Sequence, residues 1–402
     1  MPSSSIARAS FLSSSSFRER RASSSSGWSS RSSSSDKKQP IRRRRRVARK
    51  NGLEGNFDAT TTTSARTTKD VEDDFNKRVV LITGGNTGLG FISAKEIAAM
   101  SDEFKVVIAC RSVERGVKAM ANVPEFVDVM ECDLSSFASV GRFAEAFKKK
   151  YARLDVLMNN AGIMALPERI VSEDGNELQM QTNHFSHFML TAKLLPLMFD
   201  TERRHPERKP RVVNVASIAH EWGFIDNGNM NSEGVLGIPA LGYPGWGWIT
   251  YGRTKMANVL FTYELQRKLK KVGSKMQAYC VHPGVVDTEL QRNLPIDWYV
   301  NLREAGRLIN PPEGAKGQIY VATSKELEND DGGKYSSELS NEGKPGEHAF
   351  RPSNAFSLDT ENWARVWKES ERITGVDFDS VFSEFVTVVE KEEEEVSAAR
   401  GA

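Results

Sequence analysis

The sequence predicts an α/β protein built on a doubly wound parallel sheet, and three observations carry that prediction. Short runs rich in Val, Ile and Leu recur along the chain. Several are continuously apolar, as expected of strands covered on both faces. Helical patterns separate them, and this repeated β-then-α order implies right-handed crossovers. Three strand ends carry polar or turn-forming residues, on the rim where such sheets bind ligands.

The elements follow in order. VVLIT (79–83) precedes a helical pattern over 88–99, and VVIAC (106–110) precedes one over 113–121. VDVMEC (127–132) leads to 136–150, LDVLMN (154–159) to 176–198, and VVNVAS (212–217) to 250–271. QAYCVH (277–282) leads to a helix over 313–324; a seventh strand is expected around GGKYSSE (332–338) and a helix near 359–373. Residues 75–377, roughly 300 in number, suffice for one domain with a substantial core. Residues 378–402, with the charge run KEEEEV, read as an acidic tail.

The first fifty residues are of another character. They hold 18 Ser and 14 Lys or Arg against two acids, a formal +12; the whole chain is +2, so the remainder carries −10. A Ser-rich, Arg-rich, acid-poor leader reads as an organellar transit peptide, for a chloroplast or alternatively a mitochondrion. A disordered basic arm is the other reading, and Arg42–Arg46 also suits nuclear import or nucleic acid. Residues 51–74 are too polar to bury a core and read as linker. For the mildly acidic body no nucleic-acid partner is expected. No stretch of 18 apolar residues occurs, so no transmembrane helix is expected. Cys110, Cys132 and Cys280 lie in or beside apolar runs and read as buried free thiols. Their number and spacing form neither a disulfide framework nor a zinc site, and no metal is expected.

The first strand runs into TGGNTGLG, with Thr83, Gly84, Asn86, Gly88, Leu89 and Gly90. Glycines there let the backbone turn tightly and approach a pyrophosphate at the N-terminus of the next helix. The second strand ends at Arg111, where an NAD site would carry Asp or Glu. A guanidinium suits a 2′-phosphate, so NADP (NADPH) is favoured; a solvent-exposed arginine is the plainer reading. Asp133, followed by Leu134, is either an acceptor for an adenine amino group or the N-cap of helix 136–150. Asn160, Ala161 and Gly162 follow the fourth strand, Ser217 ends the fifth, and Pro283 and Gly284 follow the sixth. Between the last two begins the helix WGWITYGRTKMANVLF, which sets Tyr251 and Lys255 four residues apart.

TGGNTGLG, NNAG, Ser217, Y-G-R-T-K and H-P-G, in this order, resemble the short-chain dehydrogenase/reductase family over about residues 75–375. ACRS, NHFSHFMLT, YGRTKMANVLF and VHPGVVDTEL are most similar to its retinol dehydrogenase and WW-domain oxidoreductase branch. A plant dehydrogenase associated with the chloroplast translocon lies in the same neighbourhood. The resemblance implies a Rossmann fold of seven strands in a single domain, and hydride transfer between nicotinamide and a carbonyl or alcohol. In it Tyr251 moves the proton and also meets the cofactor, Ser217 binds the substrate oxygen, and Lys255 supplies charge and holds the ribose. Asn183 anchors a relay water, and Thr288 meets the carboxamide. An ordinary phenol pKa of about 10 would have to fall by two to three units for work near neutrality, about 3–4 kcal/mol. Lys255 is expected to help supply that shift.

Ser217 and Tyr251 lie 34 residues apart, longer than is usual in the family. The insert holds Trp222, Phe224, Tyr243, Trp246 and Trp248; these either line an apolar pocket or pack on one another. An apolar carbonyl or alcohol is the expected substrate. A light-dependent protochlorophyllide reductase and an NADP-sensing regulator of a plastid complex are the alternatives. Helices 176–198 and 250–271 are long enough to build a homodimer interface.

Overall fold

The computed structural model describes residues 77–123, 127–225, 229–233, 246–339 and 342–401. The leader, the linker and the expected domain start at residue 75 lie outside the described residues, as does Tyr243.

The strands are β1 (Arg78–Thr83), β2 (Phe104–Cys110), β3 (Val127–Glu131), β4 (Val156–Asn159), β5 (Arg211–Val215), β6 (Gln277–His282), β7 (Lys334–Leu339) and β8 (Lys344–Arg351). They form one sheet in the order β3-β2-β1-β4-β5-β6-β7-β8. All neighbours are parallel except β7 and β8, which are antiparallel. The order reverses at β1/β4, which puts the carboxyl ends of those strands on either side of a crevice. Eight strands replace the expected seven. KPGEHAFR carries Pro, Gly and charges instead of an apolar run, as an edge strand tolerates, and its pairing with β7 shifts register at Glu338/Leu339.

The helices are α1 (Gly88–Met100), α2 (Val113–Met120), α3 (Phe137–Lys150), α4 (Ser186–Arg204), α5 (Trp246–Lys271), α6 (Ile296–Glu304), α7 (Pro311–Thr323), α8 (Thr360–Thr374) and α9 (Phe378–Gly401). Strand side chains alternate between two cores. Val80, Ile82, Val106 and Ile108 meet α1 and α7 on one face. Val79, Leu81, Val107 and Leu157 meet α3, α4 and α5 on the other. The double winding is thus the direct result of strands apolar on both sides.

Two sequence expectations change. The helix expected over 176–198 runs from Leu178 to Arg204 and is interrupted near its start: a first α-helical turn (Leu178–Met180) is followed by a π-helical turn (Gln181–Phe185) and then α4. The acidic tail is helical from Phe378, and its first half is core: Phe378, Phe382 and Phe385 are buried. Phe385 stacks on Phe199 with ring centres 4.0 Å apart, and Phe378 meets Phe188 edge-on at 4.9 Å. The run of glutamates had masked three phenylalanines at near-helical spacing. The solvated part begins only with the exposed Glu390–Glu395.

Candidate active site

The β1 turn is shaped by backbone crowding. Gly84 and Gly88 have φ of 66° and 55°, which side chains disfavour. At Gly90 a Cβ would lie 2.4 Å from Asn160 Nδ2 and 2.5 Å from the Gly84 carbonyl. Only glycine lets α1 start this close to the end of β4. The N-cap Thr87 makes no side-chain capping bond, and the first turn of α1 holds no acid. Unsatisfied N–H groups and the positive end of the helix dipole are therefore left for an anion.

Thr83 ties this turn to the rest of the rim. Its hydroxyl accepts from Asn160 N and Ala161 N, each at 3.0 Å, and lies 2.8 Å from His187 Nε2. His187 Nδ1 faces the Asn183 carbonyl at 3.1 Å, so Nδ1 carries the proton and Nε2 accepts from Thr83. Burial holds this ring neutral, its pKa lowered to about 4. Asn160 Nδ2 closes the corner on the Thr83 carbonyl at 2.8 Å.

Ser217 follows β5 and caps a 3₁₀ turn (Ile218–Trp222). His282, at the end of β6, accepts the Ile218 N–H at 3.1 Å and so fixes the Ser217 turn from the neighbouring strand. Tyr251 is hydrogen-bonded to Ser217. Burial raises the phenol pKa to about 12, with the Ser217 contact opposing it. Lys255 Nζ donates to the Val215 carbonyl at 2.8 Å and lies 5.6 Å from the Tyr251 ring centre. Burial lowers its pKa to about 8. The downward shift expected for Tyr251 is thus reversed, because burial outweighs the Ser217 hydrogen bond.

Asn183 sits in the π-helical turn. Its side chain accepts from Ile163 N at 2.8 Å and donates to Ile163 O at 2.8 Å and Thr254 Oγ1 at 3.1 Å. It therefore staples the β4 loop to α5.

One cavity of about 1900 Å³ joins these parts. Gly84, Asn86, Gly88, Leu89, Arg111, Asp133, Leu134, Asn160, Ala161, Gly162, Ser217, Tyr251, Lys255, Pro283, Gly284 and Thr288 all line it. Thr83, Gly90 and Asn183 do not; they are buried behind its wall. Asp133 is not a helix cap: its Oδ1 accepts from Ser135 N and Oγ, and Ser136 caps α3. Arg111 is exposed and makes no ion pair among the described residues. Arg115 and Lys118 line the same end of the cavity and were missed in the sequence. Arg115 and Lys118, three residues apart on α2, share one side of that helix, and Arg111 lies just before its N-cap Ser112. At the other end Ile163, Met164, Leu178, Trp222, Trp248, Leu290 and Leu294 form an apolar wall. Trp248 also meets the Tyr251 ring edge-on at 6.2 Å. Phe224 instead lies under the Arg253 guanidinium, 5.4 Å away. The Trp246 side chain lies outside the described residues.

A nucleotide-sized cleft at the switch point of a parallel sheet, with a Ser–Tyr–Lys group on its rim, defines an oxidoreductase of the dinucleotide-binding class. Comparison with known proteins narrows this. Residues 78–229 match the family model for short chain dehydrogenase. Human retinol dehydrogenase 11 is 35% identical over 256 residues, covering 62% of this chain and 74% of that protein. Human polyprenol dehydrogenase is 34% identical over 260 residues, with the same coverages. A crystal structure of an uncharacterised protein from Mycobacterium paratuberculosis superposes with a TM-score of 0.59 at 33% identity, covering 76% of this chain and 96% of that one. The chain belongs to the short-chain dehydrogenase family.

Proposed function

We propose that the chain transfers a hydride between NADPH and an apolar carbonyl or alcohol, with Tyr251 moving the proton. The shared cavity carries this reading: the uncapped start of α1 and the Ser217–Tyr251 pair open onto one space. When bound, the nicotinamide would supply or accept the hydride, chemistry that no side chain has.

The chain's own residues supply the rest. Gly84, Asn86, Gly88 and Leu89 receive the pyrophosphate, with Thr83 and Gly90 setting their turn. Asp133 and Leu134 border the adenine. Asn160, Ala161, Gly162, Pro283, Gly284 and Thr288 border the nicotinamide half. Arg111, aided by Arg115 and Lys118, takes the 2′-phosphate; these three cations line the cavity after β2, where Glu114 does not, and support NADP over NAD. Ser217 donates to the substrate oxygen while Tyr251 delivers or removes the proton. A phenol that burial keeps protonated suits the reductive direction. Lys255 holds the ribose with the N–H groups not spent on Val215.

The apolar wall around Met164, Trp222, Trp248 and Leu294 supports a hydrocarbon-rich substrate. Retinol and polyprenol, after which two of the relatives are named, are alcohols of that kind. The test is NADPH oxidation screened against retinal, aliphatic aldehydes, steroids and protochlorophyllide, the last with and without light. Turnover of a carbonyl in the dark is expected. Reduction of protochlorophyllide alone, and only in light, would replace this reading. Tight NADPH binding without turnover would favour a cofactor-sensing protein.

A further inference from the structure

Asn258, buried on α5 three residues beyond Lys255, joins the Val215 carbonyl that holds the lysine to the Asn183 carbonyl of the π-helical turn. Its amide nitrogen faces Asn183 O at 3.2 Å and Val215 O at 3.4 Å. Val215 O also takes Lys255 Nζ, and Asn183 O also takes His187 Nδ1. Two side-chain donors thus meet at each carbonyl.

The other end of Asn258 leads away from the site. Its Oδ1 meets His184 Nδ1 at 3.2 Å. An amide oxygen only accepts, so Nδ1 carries the proton. Burial holds His184 neutral, its pKa lowered to about 3, so Nε2 must accept. The donor is the Ser370 hydroxyl at 2.8 Å, whose single proton is shared between this nitrogen and the Val366 carbonyl, also at 2.8 Å. Ser370 lies on α8, so a polar chain runs from the C-terminal helices to the partners of Lys255.

No carboxylate holds Lys255. The titratable groups facing it are Tyr251 on α5, His187 on α4, and Cys280 and His282 on β6. Each is uncharged near neutrality: burial puts the phenol and thiol near 12 and the imidazoles near 4 and 3. The ammonium is therefore directed by a carbonyl, and the carbonyl by Asn258.

We propose that Asn258 is a positioning residue for Lys255, supported through His184 by Ser370 on α8. The proposal rests on the reading of Lys255 given above.

The test compares Asn258→Ala, Ser370→Ala and Ser370→Thr with the unaltered chain. It follows kcat, KM for the accepted carbonyl, the pH profile, thermal stability and the Lys255 titration by NMR of labelled lysine. Asn258→Ala is expected to lower kcat about ten- to a hundredfold, as misplaced catalytic groups do, with KM little changed. It should also move the Lys255 pKa up, toward the ordinary lysine value, by about half a unit or more. Ser370→Ala should act in the same direction but less, and Ser370→Thr should restore the original behaviour. Thermal destabilisation with kcat and the lysine titration unchanged would overturn the proposal. If Asn258→Ala does not fold, Ser370→Ala decides by the same readouts. The NMR titration needs no turnover, so an inactive protein would defeat the functional reading and still test the positioning.

Discussion

Lys255 Nζ lies 5.6 Å from the centre of the Tyr251 ring, and burial drives the two titrations apart, the phenol up to about 12 and the ammonium down to about 8. The protein alone therefore presents a protonated acid beside a lysine near its titration point. Lowering of the phenol pKa from that raised value would come from positive charge brought in beside it, as an oxidised nicotinamide would do.

That arrangement sets a pH window for stability. The Lys255 pKa is lower folded than unfolded, so below pH 8 the native state carries the cost of a buried ammonium. Between about 8 and 10.5 the unfolded chain binds the proton and the native chain does not, so stability contributed here rises with pH. Lys255→Met should stabilise the chain at pH 7 by up to about 3 kcal/mol while abolishing turnover. Denaturant melts at pH 7 and pH 10.5 check this, and the advantage of the variant should vanish at the higher pH.

Arg111→Ala should weaken NADPH binding about ten- to a hundredfold, the worth of a charge-assisted contact of roughly 1.5–3 kcal/mol, and leave NADH binding nearly unchanged. Fluorescence titration with both nucleotides measures the ratio. Adding Arg115→Ala should narrow the preference further.

Gly90→Ala tests the packing of the turn. Its Cβ would need the space held by Asn160 Nδ2 and the Gly84 carbonyl. Backbone must shift, so a loss of about 1–3 kcal/mol in stability is expected, together with weakened NADPH affinity. Calorimetry and the same titration read both.

The C-terminal helices offer another test. Aromatic residues of α8 and α9 lie against α4 and α5, the helices expected to pair in a dimer: Trp367 meets Phe188 at 5.1 Å and Phe261 at 5.8 Å. The intact chain should run as a monomer in light scattering. Phe378→Ala should cost about 3–5 kcal/mol, as for other fully buried phenylalanines. A chain ending at residue 377 should self-associate or lose its fold.

Much of this molecule is legible in its sequence because parallel strands are apolar on both sides and their ends are marked by turns. VVLIT, VVIAC and QAYCVH needed no context, and TGGNTGLG, Ser217 and Y-G-R-T-K sit at strand and helix ends in an order that announces the cavity wall. What escaped depends on partners distant in the chain. β8 holds its place by pairing with β7, and the π-helical turn at Asn183 is set by contacts with Ile163 and Thr254. The rise in the Tyr251 pKa comes from burial, which no spacing of residues reveals. Phe378, Phe382 and Phe385 were legible in principle, but the acidic run beyond them drew the boundary too early.

The central claim is that Tyr251 moves the proton in an NADPH-dependent reaction, and single-turnover measurement on Tyr251→Phe tests it most directly. NADPH is bound first, the accepted carbonyl is added, and loss of nicotinamide fluorescence is followed with time. The variant should bind NADPH within about threefold of the unaltered chain, since the α1 turn, Arg111 and Lys255 are unaltered in it, and its transfer rate should fall by about a hundredfold or more, the worth of a positioned general acid. Transfer at the unaltered rate would contradict the account.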